Sequence, residues 1–104
     1  MKISVKELRE KYPNPVIASS IEDSYCVGGA LCLELNESRF PADRFPTVSD
    51  LRDALITANP NLSIDDGRYY ANLIIELNDN REFKHAWQIL ERALTYDSKK
   101  ISKK

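Results

Sequence analysis

The chain has 104 residues and a formal net charge of −1, with 42% hydrophobic and 30% charged residues. That balance is too apolar for a disordered chain and too neutral for a general polyanion binder, and the length suits one domain burying about two-thirds of its unfolded surface. No apolar run approaches the roughly 20 residues that span a bilayer.

Met1 to Lys11 is charged and amphipathic, without the apolar stretch of a secretory signal. Two cysteines outside any wider cysteine framework point to free thiols in a reducing cytoplasm. Charge is unevenly spread. Asp97 against Lys99, Lys100, Lys103 and Lys104 gives residues 97–104 a net +3, so the rest of the chain carries −4. The expected organisation is one helical domain over residues 1–96 and a flexible basic tail over 97–104.

Capping signals divide the chain into helices. Ser4 and Glu7 form a capping-box pattern ahead of Val5, Leu8 and Tyr12, and Pro13 and Pro15 stop that first helix. Val16 to Ser20 reads equally as an extended linker or a helical turn. Asp23 or Ser24 is placed to cap a second helix running to about Leu35, with Val27, Leu31 and Leu35 at i, i+4 and i+8.

Asn36 to Pro46 reads as a loop anchored by Phe40 and Phe45. Thr47 with Asp50 opens a helix carrying Val48, Leu51, Leu55 and Ala58, which Asn59-Pro60 ends. Ser63 with Asp66 opens another, to about Leu77, with Tyr70, Ile74 and Leu77 inward. Asp79 and Glu82 are placed to start the last helix, whose stripe of Phe83, Trp87, Leu90 and Leu94 has the clearest period in the chain. Ile3-Ser4-Val5 and Val16-Ile17 are the only stretches that read as strand stubs. The expected fold is all-α, a small single-domain bundle of four to five helices.

Both cysteines and two of the three glycines fall in the box Ser24-Tyr25-Cys26-Val27-Gly28-Gly29-Ala30-Leu31-Cys32. A thiol at a helix N-terminus gains from the exposed amides and the macrodipole, which favour thiolate, the reactive form. The chain's single histidine, His85, points off the apolar stripe of the last helix, and Asn78 or Asp79 is a candidate to orient it. Cys26, His85 and Asp79 are therefore the constellation that a thiol-dependent hydrolase or transferase would use. The plainer reading is a buried cysteine packing like alanine.

Cys26 and Cys32 stand about 240° apart on a straight helix and so diverge. No second Cys/His pair completes a tetrahedral metal site. Asp65-Asp66, with Glu76 or Asp79, reads more simply as first-turn acids than as a cation site. Neither a metal nor a cofactor is expected. Each glycine inside a helix costs about 1 kcal/mol relative to alanine, so Gly28-Gly29 asks for a close approach in return. An intramolecular notch against a second helix is expected, in preference to a seat for a ligand.

From Val48 to Glu82 seven acids face three arginines. Such a face repels phosphate, so nucleic acid is not the expected partner, and a helix-turn-helix over Thr47 to Leu77 would carry Asp65 and Asp66 where basic residues are wanted. A protein partner is expected instead. Asp53, Asp65, Asp66 and Tyr69 are the candidate contact residues, and Tyr25, Tyr69 and Tyr96 the candidate interface aromatics.

Two pieces of the chain resemble a family of small uncharacterised helical proteins of bacteria and their phages. Tyr25-Cys26-Val27-Gly28-Gly29-Ala30-Leu31 is similar to that family's Cys-x-x-Gly-Ala-Leu pattern at a helix start. Asn78-Asp79 is similar to an Asn-Asp pair opening its final helix. The resemblance carries no activity with it. It implies that Cys26, Asn78 and Asp79 belong to one constellation, with the Asn78 side chain capping the final helix.

Overall fold

Helix α3 (Val48–Ala58) begins where the sequence places it. The Thr47 hydroxyl accepts the Asp50 amide at 3.2 Å, and the Asp50 carboxylate accepts the Thr47 amide at 2.9 Å, so two orphan donors are satisfied reciprocally. Ser63 likewise accepts the Asp66 amide at 3.1 Å ahead of α4 (Ile64–Asp79). With α1 (Val5–Lys11), α2 (Val27–Leu35) and α5 (Phe83–Thr95), these make five helices and no strand among the described residues. The computed structural model describes residues 3–13, 26–40 and 46–97. The fold is an all-α bundle, and no helix among these residues is long and apolar enough to cross a membrane.

Helix α4 is the longest and lies between α3 and α5. Its buried face is Gly67, Ala71, Ile74 and Asn78, at spacings of four, three and four, so small residues let both neighbours approach closely. Helix α2 crosses α3, α4 and α5, and α1 closes over α2 and α5. Leu31, Leu51, Leu55, Ile74 and Leu90 are fully buried at the meeting point, with Trp87 beside them. On α5 the buried set is Ala86, Trp87, Leu90 and Ala93, while Phe83 and Leu94 sit half-buried at its margins.

Several boundaries differ from the sequence reading. Ser4 is the N-cap of α1 by backbone conformation, but its side chain makes no capping bond, so the expected Ser4–Glu7 box does not close. Ser4 to Val5 is a helix start, not a strand stub, while Val16-Ile17 lies outside the described residues. Cys26 caps α2, and Asp23, Ser24 and Tyr25 lie outside the described residues. Asp79 is the last residue of α4 instead of an opener of α5, whose N-cap is Glu82. Of the tail proposed for 97–104, only Asp97 falls within the described residues.

The turn between α4 and α5 explains that last shift. The Glu82 amide donates to the Leu77 carbonyl at 2.8 Å and the Arg81 amide to the Asn78 carbonyl at 3.0 Å, the paired bonds of a Schellman ending. Arg81 occupies the left-handed position of that motif, φ 63°, where glycine is the unstrained choice. Arg81→Gly is therefore expected to stabilise the protein by about 0.5–1 kcal/mol, strain relief exceeding the added freedom of the unfolded chain. A urea midpoint that falls would show that the arginine side chain makes a compensating contact.

Candidate functional site

Sequence reasoning singles out Cys26, and the fold gives it a defined position. It is the N-cap of α2, with extended backbone (φ −98°, ψ 175°), and its Sγ accepts the Gly29 amide at 3.2 Å. A second acceptor reaches the same helix end from α4. The Oδ1 of Asn78 takes the Val27 amide at 2.9 Å, across 51 residues of sequence. Cys26 and Asn78 thus divide two of the orphan amides of α2 between them, inside the core. Asn78 is 2% exposed and Cys26 is buried.

The structure therefore brings Cys26, Asn78 and Asp79 together, but in a different role from the one the resemblance implies. Asn78 caps α2, not the final helix. The signal for it was present in the sequence, since an asparagine at the end of the Gly67, Ala71, Ile74 row must be a buried polar group and needs a partner. A second buried asparagine works the same way at another helix end. Asn59 Nδ2 donates to the carbonyls of Ala93 and Tyr96, each at 2.9 Å, tying the C-terminus of α5 to the α3–α4 connection. Its Oδ1 accepts the Asn61 amide at 3.2 Å. The sequence reading used Asn59 only as a helix terminator.

Electrostatics at Cys26 oppose a thiolate. Burial pushes its thiol above the ordinary value, and the nearby Asp79 carboxylate pushes the same way, against the amide bonds from Gly29 and its neighbours. Burial, with Cys26 and Asp50 adding, pushes Cys32 up to about 12. His85 lies elsewhere: it is exposed on α5, with Nδ1 3.1 Å from Glu82 Oε1. The hydrogen-bonded order of nucleophile, base and orienter is not assembled from Cys26, His85 and Asp79 in this arrangement.

Both thiols are thus expected to resist iodoacetamide at pH 8 in the folded protein and to react quickly in urea. Because each is harder to ionise folded than unfolded, stability is full below about pH 9 and declines as pH rises toward 12. Rapid alkylation of Cys26 at neutral pH, without unfolding, would reverse this assignment.

The acidic residues are dispersed. Asp53 is exposed but held by Arg52, whose Nη2 is 3.1 Å from Asp53 Oδ1. The stem of Arg52 lies against Gly67, so this arginine stands between Asp53 and α4. Asp65 and Tyr69, four apart, share an outward row of α4. Asp66 lies instead at the seam with α5, close to the Tyr96 hydroxyl. Partial burial and then this carboxylate hold the Tyr96 phenol above its ordinary value.

Tyr70, read as an inward residue, is half-buried and joins these groups. Its ring meets Tyr69 edge-on at 5.4 Å between centroids and Tyr96 edge-on at 6.2 Å. Among the described residues no group of three or more His, Cys, Asp or Glu side chains is arranged to hold a metal ion. No protein-family model, curated protein or solved structure matches the chain.

Proposed function

We propose that this protein is a small protein-interaction or regulatory module whose contact face is the N-terminal half of α4. One observation carries the reading. The longest helix leaves Ile64 62% and Tyr69 63% exposed beside Asp65 and Asp66, although it has three neighbouring helices on which to bury large side chains. An exposed aromatic with a wet hydroxyl, flanked by acids, suits a contact that complementary charge accelerates and selects. An inhibitor, immunity-type or adaptor protein works in this way. The two free thiols suit a reducing cytoplasm.

The experiment is affinity capture of the tagged protein from an extract of its own cells, with Cys26→Ala and the pair Asp65→Lys/Asp66→Lys alongside. A stoichiometric partner kept by Cys26→Ala and reduced at least several-fold by the double reversal is the expected result. Equal capture by the reversed protein would remove this face from the reading. Loss with Cys26→Ala alone, in a protein that remains folded, would move the function to the α2 N-terminus.

A further inference from the structure

We propose that Tyr69, Tyr70 and Tyr96 form a seat for the guanidinium of an arginine carried by the protein partner, with Asp65 and Asp66 supplying the charge. The inference rests on the interaction-module reading and names what that face binds. Its geometry comes from two helix ends. Asp66 and Tyr70 are four apart on α4, as are Asp65 and Tyr69, so each acid lies one turn below a ring. Tyr96, at the C-cap of α5, closes the far side, with its carbonyl held by Asn59 and its ring against Tyr70.

The three rings therefore touch in series before anything binds. Successive rings meet edge-to-face at interplanar angles of 68° and 67°, and Tyr69, 63% exposed, is the ring most open to a ligand. Ring faces carry the negative end of the aromatic quadrupole and attract a cation. Arginine fits better than lysine for two physical reasons. Its planar guanidinium stacks on a ring face while still donating to a carboxylate, and it is more weakly hydrated than an ammonium.

Neither Asp65 nor Asp66 forms an ion pair with a described residue, in contrast to Asp53 with Arg52 and Glu34 with Lys11. Residues 1–96 carry a net charge of −4, offset by +3 on residues 97–104, so the attraction for a cation is local to the acids of α4. The three rings, with Asp65 on the outer row and Asp66 on the Tyr96 side, are complementary to a basic group.

The test is a ¹⁵N and aromatic-¹³C NMR titration of the full chain with N-acetylated, C-amidated tetraarginine, with tetralysine, and with sodium chloride at matched ionic strength. Tetraarginine is expected to shift residues 65–70 and 95–97 selectively and to bind more tightly than tetralysine. Tyr69→Ala, at an exposed position that the fold tolerates, is expected to weaken tetraarginine by about two- to five-fold, the range for an exposed cation–π contact. Equal effects of tetraarginine, tetralysine and salt, or shifts spread over all acidic residues, would overturn the seat.

A chain ending at Asp97 supplies the other control. If removing residues 98–104 alone shifts the same signals, the chain's own lysines occupy the strip and the partner-arginine assignment is overturned. The broader reading fails separately. A captured partner that is lost with Asp65→Lys/Asp66→Lys but is neither displaced by tetraarginine nor weakened by Tyr69→Ala leaves the module standing and removes the arginine seat.

Discussion

Asn78→Ala is expected to cost about 2–4 kcal/mol and to lower the melting temperature by about 10–25 °C. The substitution removes the acceptor of the Val27 amide at a position with 2% exposure, where water does not replace it. An orphaned buried amide costs about 1–3 kcal/mol, and the volume lost beside Ile74 and Cys26 adds a cavity term. Against a total stability of about 5–15 kcal/mol this is a large fraction.

Asn78→Leu separates the two contributions. Leucine fills the space and buries more apolar surface but accepts no hydrogen bond, so it is expected to remain well below wild type in a urea titration. Hydrogen exchange at the Val27 amide should quicken in both variants before global unfolding, because the first turn of α2 loses its long-range cap. Wild-type stability for Asn78→Leu would mean that Asn78 serves only as filling.

That bond also marks the limit of what the residue order alone discloses. The caps at Thr47 and Ser63 were legible because donor and acceptor lie within four residues, and the apolar periods placed Leu31, Leu51, Leu55, Ile74 and Leu90 inside. Tyr70, Leu77, Phe83 and Leu94 instead stand half-buried at the margins of buried rows that run through small and polar residues. The Asn78–Val27 contact spans 51 residues, and no local pattern says which of two nearby helix ends an asparagine will reach. The α4–α5 boundary was misread for a related reason. Asp79 and Glu82 are good helix openers by composition, but the Schellman bonds from Arg81 and Glu82 run α4 on to Asp79 and delay α5 to Phe83.

The tyrosines divide in the same manner. Tyr69 and Tyr96 read as interface aromatics from their places off or at the ends of the stripes. Tyr70, at the edge of the stripe, reads as core. Its value to the strip lies in touching both neighbours, which depends on how α4 and α5 lie against each other. Cys26 was singled out correctly as a helix-start residue, yet its chemistry depends on burial and on Asp79, and both raise its pKa.

Gly28→Val is expected to cost about 3 kcal/mol or more and to leave little folded protein at 37 °C. A Cβ on Gly28 would stand 2.8 Å from Leu51 Cδ2 and 3.3 Å from Cδ1, closer than carbon atoms pack. The clash is with the end of a side chain, but Leu51 is fully buried, and in a close-packed core it turns only by displacing its neighbours. The glycine thus makes the α2–α3 contact, which is the internal notch its helical cost requires. Gly28→Ala should fall between, since alanine recovers about 1 kcal/mol of helix propensity against an overpacking cost of about 1–3 kcal/mol.

Gly67 provides the contrast within the same fold. Its Cβ would meet Ile56 and Arg52 at 3.1–3.2 Å, and both are long side chains only partly buried on α3. They have room to yield, so Gly67→Ala is expected to change stability by no more than about 0.5 kcal/mol. The decisive measurement is a double-mutant cycle of Gly28→Val with Leu51→Ala. If the two side chains compete for one space, the double variant is more stable than the sum of the single losses by about 1–2 kcal/mol. Strict additivity would place the obstruction elsewhere on α2 and remove Leu51 as the reason for the glycine.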